Sequence, residues 1–273
     1  MNDFAPLLKD NELERQLVDV GYVVVPFFDE EQCQQMRDFF LKDFDVETGR
    51  MYASSHSSDI DYKYTVNDWI IKNYSPAVDR YFTDYRILGG TYIVKPGGGK
   101  GLIYPHQDWT LVDERRFRSV NCWVALVDTN KENGMVGVLP QSHTHVEAFR
   151  GPNVPERCKP IEDWLFEQFT WLPMKAGEAL IYDHRLIHGS FENFTNETRV
   201  ASACAVTNKM AERRVYYYHE GNESRKKIEE FEGNDDFLLS NDRFNAPAVL
   251  PSLGNPDYDD TPFVKSDFEA IIP

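Results

Sequence analysis

Between Arg86 and Thr207 the chain passes through five strand-like runs held apart by turn residues, and this punctuation restricts the fold more than any other feature. The runs are residues 86–95 (RILGGTYIVK), 117–127 (FRSVNCWVALV), 135–139 (MVGVL), 178–182 (EALIY) and 198–207 (TRVASACAVT). Pro96-Gly97-Gly98-Gly99, Asn133-Gly134, Gly177 and the stretch Asn193–Asn196 separate them. Short β-branched and aromatic runs ended by Gly, Pro and Asn specify a sandwich or barrel. A βαβ fold would need a helical period between each pair, and only one helical stretch, around 160–169, interrupts. One all-β domain commonly reaches a length of 273 residues and buries a large core.

Upstream the pattern is helical. Residues 10–19 (DNELERQLVD) predict a helix that ends at Gly21, and Gly21–Pro26 a short buried strand. Asp29 and Gln32 form a capping box. It opens a helix with apolar positions at Cys33, Met36, Phe39, Phe40 and Phe44. The polar, serine-rich stretch 50–65 predicts a loop, with Arg50–Tyr64 as a lid. A helix follows over Asn67–Asn73, and Ser75-Pro76 signals the start of another. Past residue 210 the tail is polar, with a helical piece near 223–231 and an irregular end. No internal repeat is present. The reading is one domain over 1–273, with helices and lid in 1–85, the strand core in 86–210 and a C-terminal extension in 211–273.

Charge removes two function classes. The net charge is −16 and no Lys/Arg run offsets it, which argues against a nucleic-acid partner and an anionic membrane surface. None of the four cysteines forms a CxxC pair, and Cys122 and Cys204 read as small buried hydrophobes. Met1-Asn2-Asp3-Phe4 lacks a basic, then apolar leader, and no run is long enough to span a membrane, so the expected location is cytoplasmic. The sequons at Asn193, Asn196 and Asn222 carry no weight there. Gly99-Lys100 is not a phosphate-binding loop, because Val94 stands where the first glycine should be and Gly101 follows the lysine. Nothing in the pattern specifies an oligomer.

Metal chemistry is the informative question for the seven histidines. His106-Gln107-Asp108 has i, i+2 spacing, which on a strand points an imidazole and a carboxylate to one face and Gln107 away. The third donor must come from another strand. Residues 178–183 lead to His184 and His188, and Gly189-Ser190 after His188 suits a close-packed turn. His188 is favoured and His184 is its rival. A His-Asp-His set with open positions matches non-haem Fe(II) oxygenases, whereas zinc prefers a tetrahedral set with one open position. Arg199 follows His188 by eleven residues, and a hairpin through Asn193–Asn196 would return its guanidinium to the metal as a carboxylate anchor.

These pieces resemble the phytanoyl-CoA dioxygenase-like family of Fe(II)/2-oxoglutarate oxygenases. The matching stretches are Gly21–Pro26, His106–Asp108, Asn121–Asp128, Asn133-Gly134, Val138–His143, Tyr182-Asp183, His188–Ser190 and Arg199, in the family's order. The usual Pro-Gly-Ser-His loop reads Pro140-Gln141-Ser142-His143 here, and His143 is taken as structural. The resemblance implies a mainly β fold with flanking α, a double-stranded β-helix (jelly-roll, cupin-like) core with N-terminal helices packed outside. It implies His106, Asp108 and His188 as iron ligands, Arg199 as 2-oxoglutarate anchor, and Trp123 in the co-substrate pocket. Ser190 and Thr110 are further co-substrate candidates; His56, Lys63, Tyr64 and Trp109 are substrate candidates. No separate acid or base is assigned.

The implied activity is hydroxylation of an unactivated C–H bond of a small molecule, consuming O2 and 2-oxoglutarate and releasing succinate and CO2. The carboxylate of Asp108 argues against halogenation, which in related enzymes needs a small residue there. A free amino acid or similar polar metabolite is the expected substrate. Desaturation, epimerisation or cyclisation at the same iron is the alternative. More remote are a cupin-like metalloenzyme without 2-oxoglutarate, which leaves Arg199 without a task, and a non-catalytic jelly-roll binding module.

Overall fold

The computed structural model of the protein describes residues 4–43, 51–145, 149–219, 228–240 and 245–272. In chain order its helices are α1 (Asn11–Val20), α2 (Glu30–Asp43), α3 (Ile60–Tyr81), α4 (Ser142–His145), α5 (Glu162–Gln168) and α6 (Phe237–Ser240). The first strands are β1 (Tyr22–Pro26), β2 (Tyr52–Ala53), β3 (Tyr85–Lys95), β4 (Ile103–His106), β5 (Ser119–Ala125), β6 (Val136–Val138) and β7 (Thr170–Leu172). Then come β8 (Glu178–Asp183), β9 (His188–Ser190), β10 (Arg199–Asn208), β11 (Arg214–Tyr218), β12 (Ile228–Glu232) and β13 (Ser252–Gly254). Among the described residues no helix is long and apolar enough to cross a membrane.

The architecture is the expected jelly roll. A six-stranded antiparallel sheet runs β1-β8-β5-β10-β3-β2, and a four-stranded sheet runs β4-β9-β6-β7. Strands β3 to β10 divide between the two as a double-stranded β-helix requires, with β3, β10, β5 and β8 in one and β4, β9, β6 and β7 in the other. The central strands of the large sheet, β5, β8 and β10, are buried on both faces. Val120, Cys122 and Val124 of β5 face the core shared with α1, α2 and α3, while Trp123 and Ala125 face the interior between the sheets. That double burial is why the long strands read as continuous apolar runs. Cys122 and Cys204 are buried free thiols, paired directly across β5 and β10.

The N-terminal helices form much as their end signals dictate. Asp10 caps α1 by accepting from the Glu12 and Leu13 amides, and Gly21 ends it at φ 91°. That left-handed conformation favours glycine, and a Cβ would lie 2.6 Å from His143 Nδ1. The capping box at α2 is reciprocal: the Gln32 amide donates to Asp29 at 2.8 Å and the Asp29 amide to the Gln32 side chain at 3.0 Å. Phe44, assigned to α2 from its spacing, lies outside the described residues.

Three expectations need correction. The stretch 50–65 is not a loop throughout: β2 pairs with β3, a 3-10 turn spans Ser54–His56, and α3 begins at Ile60. Asp59 is the cap, accepting from the Tyr62 amide at 3.0 Å. Arg50 lies outside the described residues. Ser75-Pro76 starts no helix, because α3 runs through Pro76 unbroken for 22 residues. Proline removes one backbone donor, but Ser75 Oγ donates to the Ile71 carbonyl and Tyr74, Ala77 and Val78 are buried, so tertiary packing carries the helix past it. The tail is not merely irregular: β11, β12 and β13 form a third antiparallel sheet. The expected helical piece near 223–231 is strand from Ile228, and its earlier part, like Asn222, lies outside the described residues.

A buried ionic chain ties α1 to the sheets. Arg118 Nη1 meets Glu14 at 2.6 Å, Arg118 Nε lies 3.8 Å from Asp183, and Arg185 donates to both Asp183 oxygens at 2.8 and 2.6 Å. Burial opposes ionisation of Asp183, but Arg185 outweighs it and holds the carboxyl at about 2. Because the folded value lies below the unfolded one, this stabilisation is present above about pH 4 and is lost as pH falls towards 2. Asp183→Asn is expected to lower the unfolding free energy at pH 7 by about 2–3 kcal/mol, since it removes the charge that Arg185 and Arg118 face in a buried setting while Arg118 keeps Glu14. Urea melts of both proteins from pH 7 to 3 check this, and the gap should narrow below about pH 4.

Candidate metal centre and co-substrate pocket

A cavity of about 810 Å³ lies at the mouth of the jelly roll, and its floor is built by facing strands. His106 ends β4 and His188 begins β9, and the two are direct partners across that antiparallel pair. Their rings lie 4.3 Å apart at centroids. Gly189 makes this pairing possible, because a Cβ there would sit 2.7 Å from the Ile103 carbonyl oxygen. His188 therefore sits on a strand, not the turn expected from Gly189-Ser190. Asp108 follows just past the end of β4. Its Oδ1 lies 3.7 Å from His106 Nε2 and 3.8 Å from His188 Nε2. The three donor atoms all lie within 4.8 Å of one another, the one group of three histidine, cysteine or acidic residues so placed among the described residues.

The hydrogen bonds around these groups point their lone pairs inward. His106 Nδ1 lies 2.8 Å from the Tyr104 carbonyl and His188 Nδ1 lies 3.0 Å from the Leu186 carbonyl. A carbonyl only accepts, so Nδ1 carries the proton in both rings and Nε2 is left as the donor atom. Asp108 Oδ2 accepts from the Tyr182 hydroxyl at 2.8 Å and from Asn121 Nδ2 at 3.1 Å, which leaves Oδ1 for the site. Burial opposes ionisation of Asp108, but His188 and His106 outweigh it and hold the carboxyl well below the usual range. Burial, then the neighbouring His106, pushes His188 down to about 4, so its imidazole is neutral at neutral pH. Two imidazoles and a carboxylate converging in this way form a donor set suited to a divalent first-row metal with open positions.

Arg199 lies in the same cavity wall, 2% exposed, with its guanidinium 5.2 Å from the Trp123 ring centroid. Its Nε and Nη1 are buried with no hydrogen-bond partner among the described residues. Burial lowers its pKa to about 9, which still leaves it charged at neutral pH. Beside it, directly across β3 and β10, lies Lys95, whose Nζ donates to the Phe191 carbonyl. Burial and then Arg199 push Lys95 down to about 6. A buried guanidinium with free donors and no carboxylate partner is a receptor for an anionic oxygen ligand.

The other sequence candidates divide. Trp123, Ser190, His56, Lys63 and Trp109 line the cavity with the triad and Arg199. Thr110 and Tyr64 are not among its lining residues. The Thr110 hydroxyl accepts from the Arg150 amide at 3.1 Å, and Tyr64 interacts instead with Asp236 and Ser240 of the C-terminal segment. The rival His184 lines the wall, with its Nδ1 2.8 Å from Ser119 Oγ. His143 Nε2 lies 3.0 Å from the Val18 carbonyl, far from this chemistry in role. Gln107 does not simply face away: it is buried, lines the cavity, and donates its side-chain amide to the Arg185 carbonyl.

Residues without an assigned role prove central to the geometry. Asn121 and Tyr182 are cross-strand partners that grip one oxygen of Asp108. Both lie in stretches quoted for the resemblance, and the i, i+2 relation of Asn121 to Trp123 places both on the cavity face. Arg150 holds the backbone of the Asp108 segment, donating from Nε to the Asp108 carbonyl at 2.7 Å while Glu114 accepts from its Nη1 and Nη2 at 2.7 Å each. No sequence spacing announces that clamp.

Comparison with known proteins bears on the family and the fold. The family model described as phytanoyl-CoA dioxygenase (PhyH) matches residues 17–201. The chain is 33% identical over 118 residues to a phytanoyl-CoA dioxygenase of Arabidopsis thaliana, covering 42% of each chain. It is 31% identical over 121 residues to phytanoyl-CoA dioxygenase domain-containing protein 1 of Danio rerio, covering 41% of this chain and 42% of that one. The matches thus span less than half the length of these curated relatives. Among solved structures, the non-haem alpha-ketoglutarate-dependent carbocyclase SnoK from nogalamycin biosynthesis superposes with a TM-score of 0.54 at 17% identity, covering 75% of this chain and 86% of that one. The epimerase SnoN, in complex with Fe3+, alpha-ketoglutarate and nogalamycin RO, superposes with a TM-score of 0.52 at 18% identity, covering 92% and 96%. At such identities the structural likeness speaks for the fold.

Proposed function

This chain belongs to the phytanoyl-CoA dioxygenase (PhyH) family, and from that premise we propose that it is a non-haem Fe(II)/2-oxoglutarate-dependent oxygenase acting on a small molecule. The observation that carries the reading is the convergence of the His106, Asp108 and His188 donors in one cavity with the unpartnered guanidinium of Arg199. In this proposal the triad holds Fe(II), and Arg199 binds the far carboxylate of 2-oxoglutarate with Trp123 packed beside it. Ser190 is a further co-substrate contact; Thr110 acts only through the Arg150 backbone, positioning the Asp108 segment.

When bound, iron and 2-oxoglutarate supply O2 activation at a C–H bond, with succinate and CO2 as products. The protein's own residues hold the donor atoms and exclude water. Nδ1 protons parked on backbone carbonyls keep both imidazoles in the donor tautomer. Tyr182 and Asn121 occupy Asp108 Oδ2 and leave Oδ1 facing the two imidazoles. The carboxylate of Asp108 occupies the position that halide chemistry would need, which supports oxygen insertion. Desaturation, epimerisation and cyclisation use the same donors; the fold likeness to proteins named as a carbocyclase and an epimerase keeps them as the second reading. The chemistry of the site requires no separate acid or base.

The direct test is 2-oxoglutarate-dependent succinate formation with Fe(II) under air; a protein that binds Fe(II) yet makes no succinate contradicts the proposal. The role given to Tyr182 has its own consequence. Tyr182→Phe removes the donor to Asp108 Oδ2 and is expected to weaken Fe(II) affinity by about 10–100-fold, as loss of such a supporting partner typically does. Anaerobic Fe(II) competition against a chromogenic chelator measures it.

A further inference from the structure

The cavity extends beyond the triad and Arg199, and its outer wall comes from a part of the chain that the family model does not match. Asp235, Leu238, Leu239 and Ser240 line it, whereas the family match ends at residue 201. This wall is firmly held. The Asp235 carboxylate receives Arg86 Nη2 at 2.6 and 2.7 Å and Arg213 Nη2 at 3.4 Å. Tyr64 on α3 stands close enough to Asp236 and Ser240 to interact with both. Phe237 is buried edge-on against Tyr217 of β11. With those anchors behind it, the segment presents Leu238 and Leu239 to the cavity, where Leu88, Leu111, Ile60 and Ile93 also line the space.

We propose that residues 235–240 are the substrate-selecting wall of this enzyme, and that the substrate is a small molecule with an extended apolar body, not a free amino acid. The inference rests on the oxygenase reading above and names the substrate class of that same cavity. A zwitterion needs an anion receptor and a cation receptor. The buried guanidinium that fits the first is given to the co-substrate, and Asp235, the acidic group of the outer wall, is engaged by two arginines. His56 and Lys63 also interact within the protein. The outer cavity pairs the leucine and isoleucine side chains with the uncharged Ser55, Ser57, Ser58 and Asn67, and the whole cavity, co-substrate region included, holds about 810 Å³, within the roughly 300–1,000 Å³ that buries a drug-sized ligand. Burial of apolar area against Leu238 and Leu239 is then the main source of affinity. The free amino acid expected from the sequence gives way to this class.

The test uses the full chain loaded anaerobically with Fe(II) and 2-oxoglutarate. It is titrated with a panel of free L-amino acids and a panel of cyclic terpenoids, medium-chain alkanols and aryl ketones. Binding is read by calorimetry and by the change in the visible band of the iron chelate. The expected result is binding confined to the apolar panel, weakened about tenfold or more in Leu238→Ala and abolished in Leu238→Trp, which fills the space. Both variants should form the chelate band as the wild type does, which also reports their folding. Asp235→Asn should raise amide hydrogen exchange at Leu239 and Ser240. Binding of the amino acids alone, no binding from the apolar panel, or unchanged binding in both Leu238 variants overturns the inference. Absence of the chelate band in the wild type instead overturns the oxygenase reading itself, and the inference with it.

Discussion

Arg199→Ala is expected to raise the Kd of the ferrous protein for 2-oxoglutarate by a factor of about 30 to several thousand, the equivalent of the roughly 2–5 kcal/mol that loss of one partner of a buried charge pair costs. The size follows from burial. Arg199 is 2% exposed, its Nε and Nη1 have no partner among the described residues, and its ring neighbour is Trp123. Its guanidinium is a desolvated cation whose ligand carboxylate would meet little competition from water. Fe(II) affinity without 2-oxoglutarate should stay near that of the wild type, because Arg199 is not among the three donor residues. Arg199→Lys should recover only part of the loss, since an ammonium lacks the planar fork. Anaerobic titration of 2-oxoglutarate into each ferrous variant measures the effect. Equal affinity in wild type and Arg199→Ala would remove the anchor from the account.

Asp108→Ala is expected to have the second large effect, this time on the metal. It deletes the one carboxylate of the donor set, and Fe(II) affinity should fall by more than the roughly 10–100-fold that loss of a supporting partner costs. It also removes one acceptor shared by Tyr182 and Asn121, which both donate to Asp108 Oδ2. Asn121 still donates to the Tyr182 hydroxyl at 3.0 Å, and that hydroxyl keeps His188 Nε2 at 3.2 Å, so the lost bonds cost about 1 kcal/mol each, not a full unpaired-donor penalty. The variant should therefore melt earlier as well as bind iron poorly. Asp108→Asn separates the two effects, because its amide oxygen still accepts from Tyr182 while the charge is gone. Iron competition and thermal melts on the two variants resolve them, and wild-type iron affinity in Asp108→Ala would exclude the carboxylate as a ligand.

The fold was legible where burial leaves a long trace in the residues. β5, β8 and β10 pack on both faces, and their apolar runs stand out within the punctuated pattern. β4, β9 and β7 have only three or four residues each, too few to show any period, yet two of them carry the histidines of the site. The start of α3 was hidden because Tyr62 and Tyr64 read as loop aromatics, although Asp59 was a sound cap. β12 was hidden by its polarity, since Glu229, Glu230 and Glu232 outnumber Ile228 and Phe231, while β11 carries the strand-like run Val215–Tyr218, a signal passed over inside a polar tail; the two pair in register.

The candidate site follows the same logic. His106, Asp108, His188 and Arg199 come from spacing joined to a family pattern, and the structure brings all four to one cavity. Asn121 and Tyr182 lay inside quoted stretches but acquire a task only through the β5–β8 register, which no local spacing encodes. Arg150 and the wall at 235–240 reach the site over long sequence separations, through an ionic clamp to Glu114 and a latch to Arg86. Side chains that act through such distant pairing leave no mark in a single sequence.

The most direct measurement is an anaerobic titration of the wild-type protein, first with one equivalent of Fe(II) and then with 2-oxoglutarate, followed in the visible spectrum. The account predicts a saturable charge-transfer band that appears only after the second addition, persists in Tyr182→Phe once iron is saturating, and needs far more 2-oxoglutarate in Arg199→Ala. An iron-loaded wild type that shows no band at saturating 2-oxoglutarate, or a band indifferent to Arg199→Ala, would contradict it.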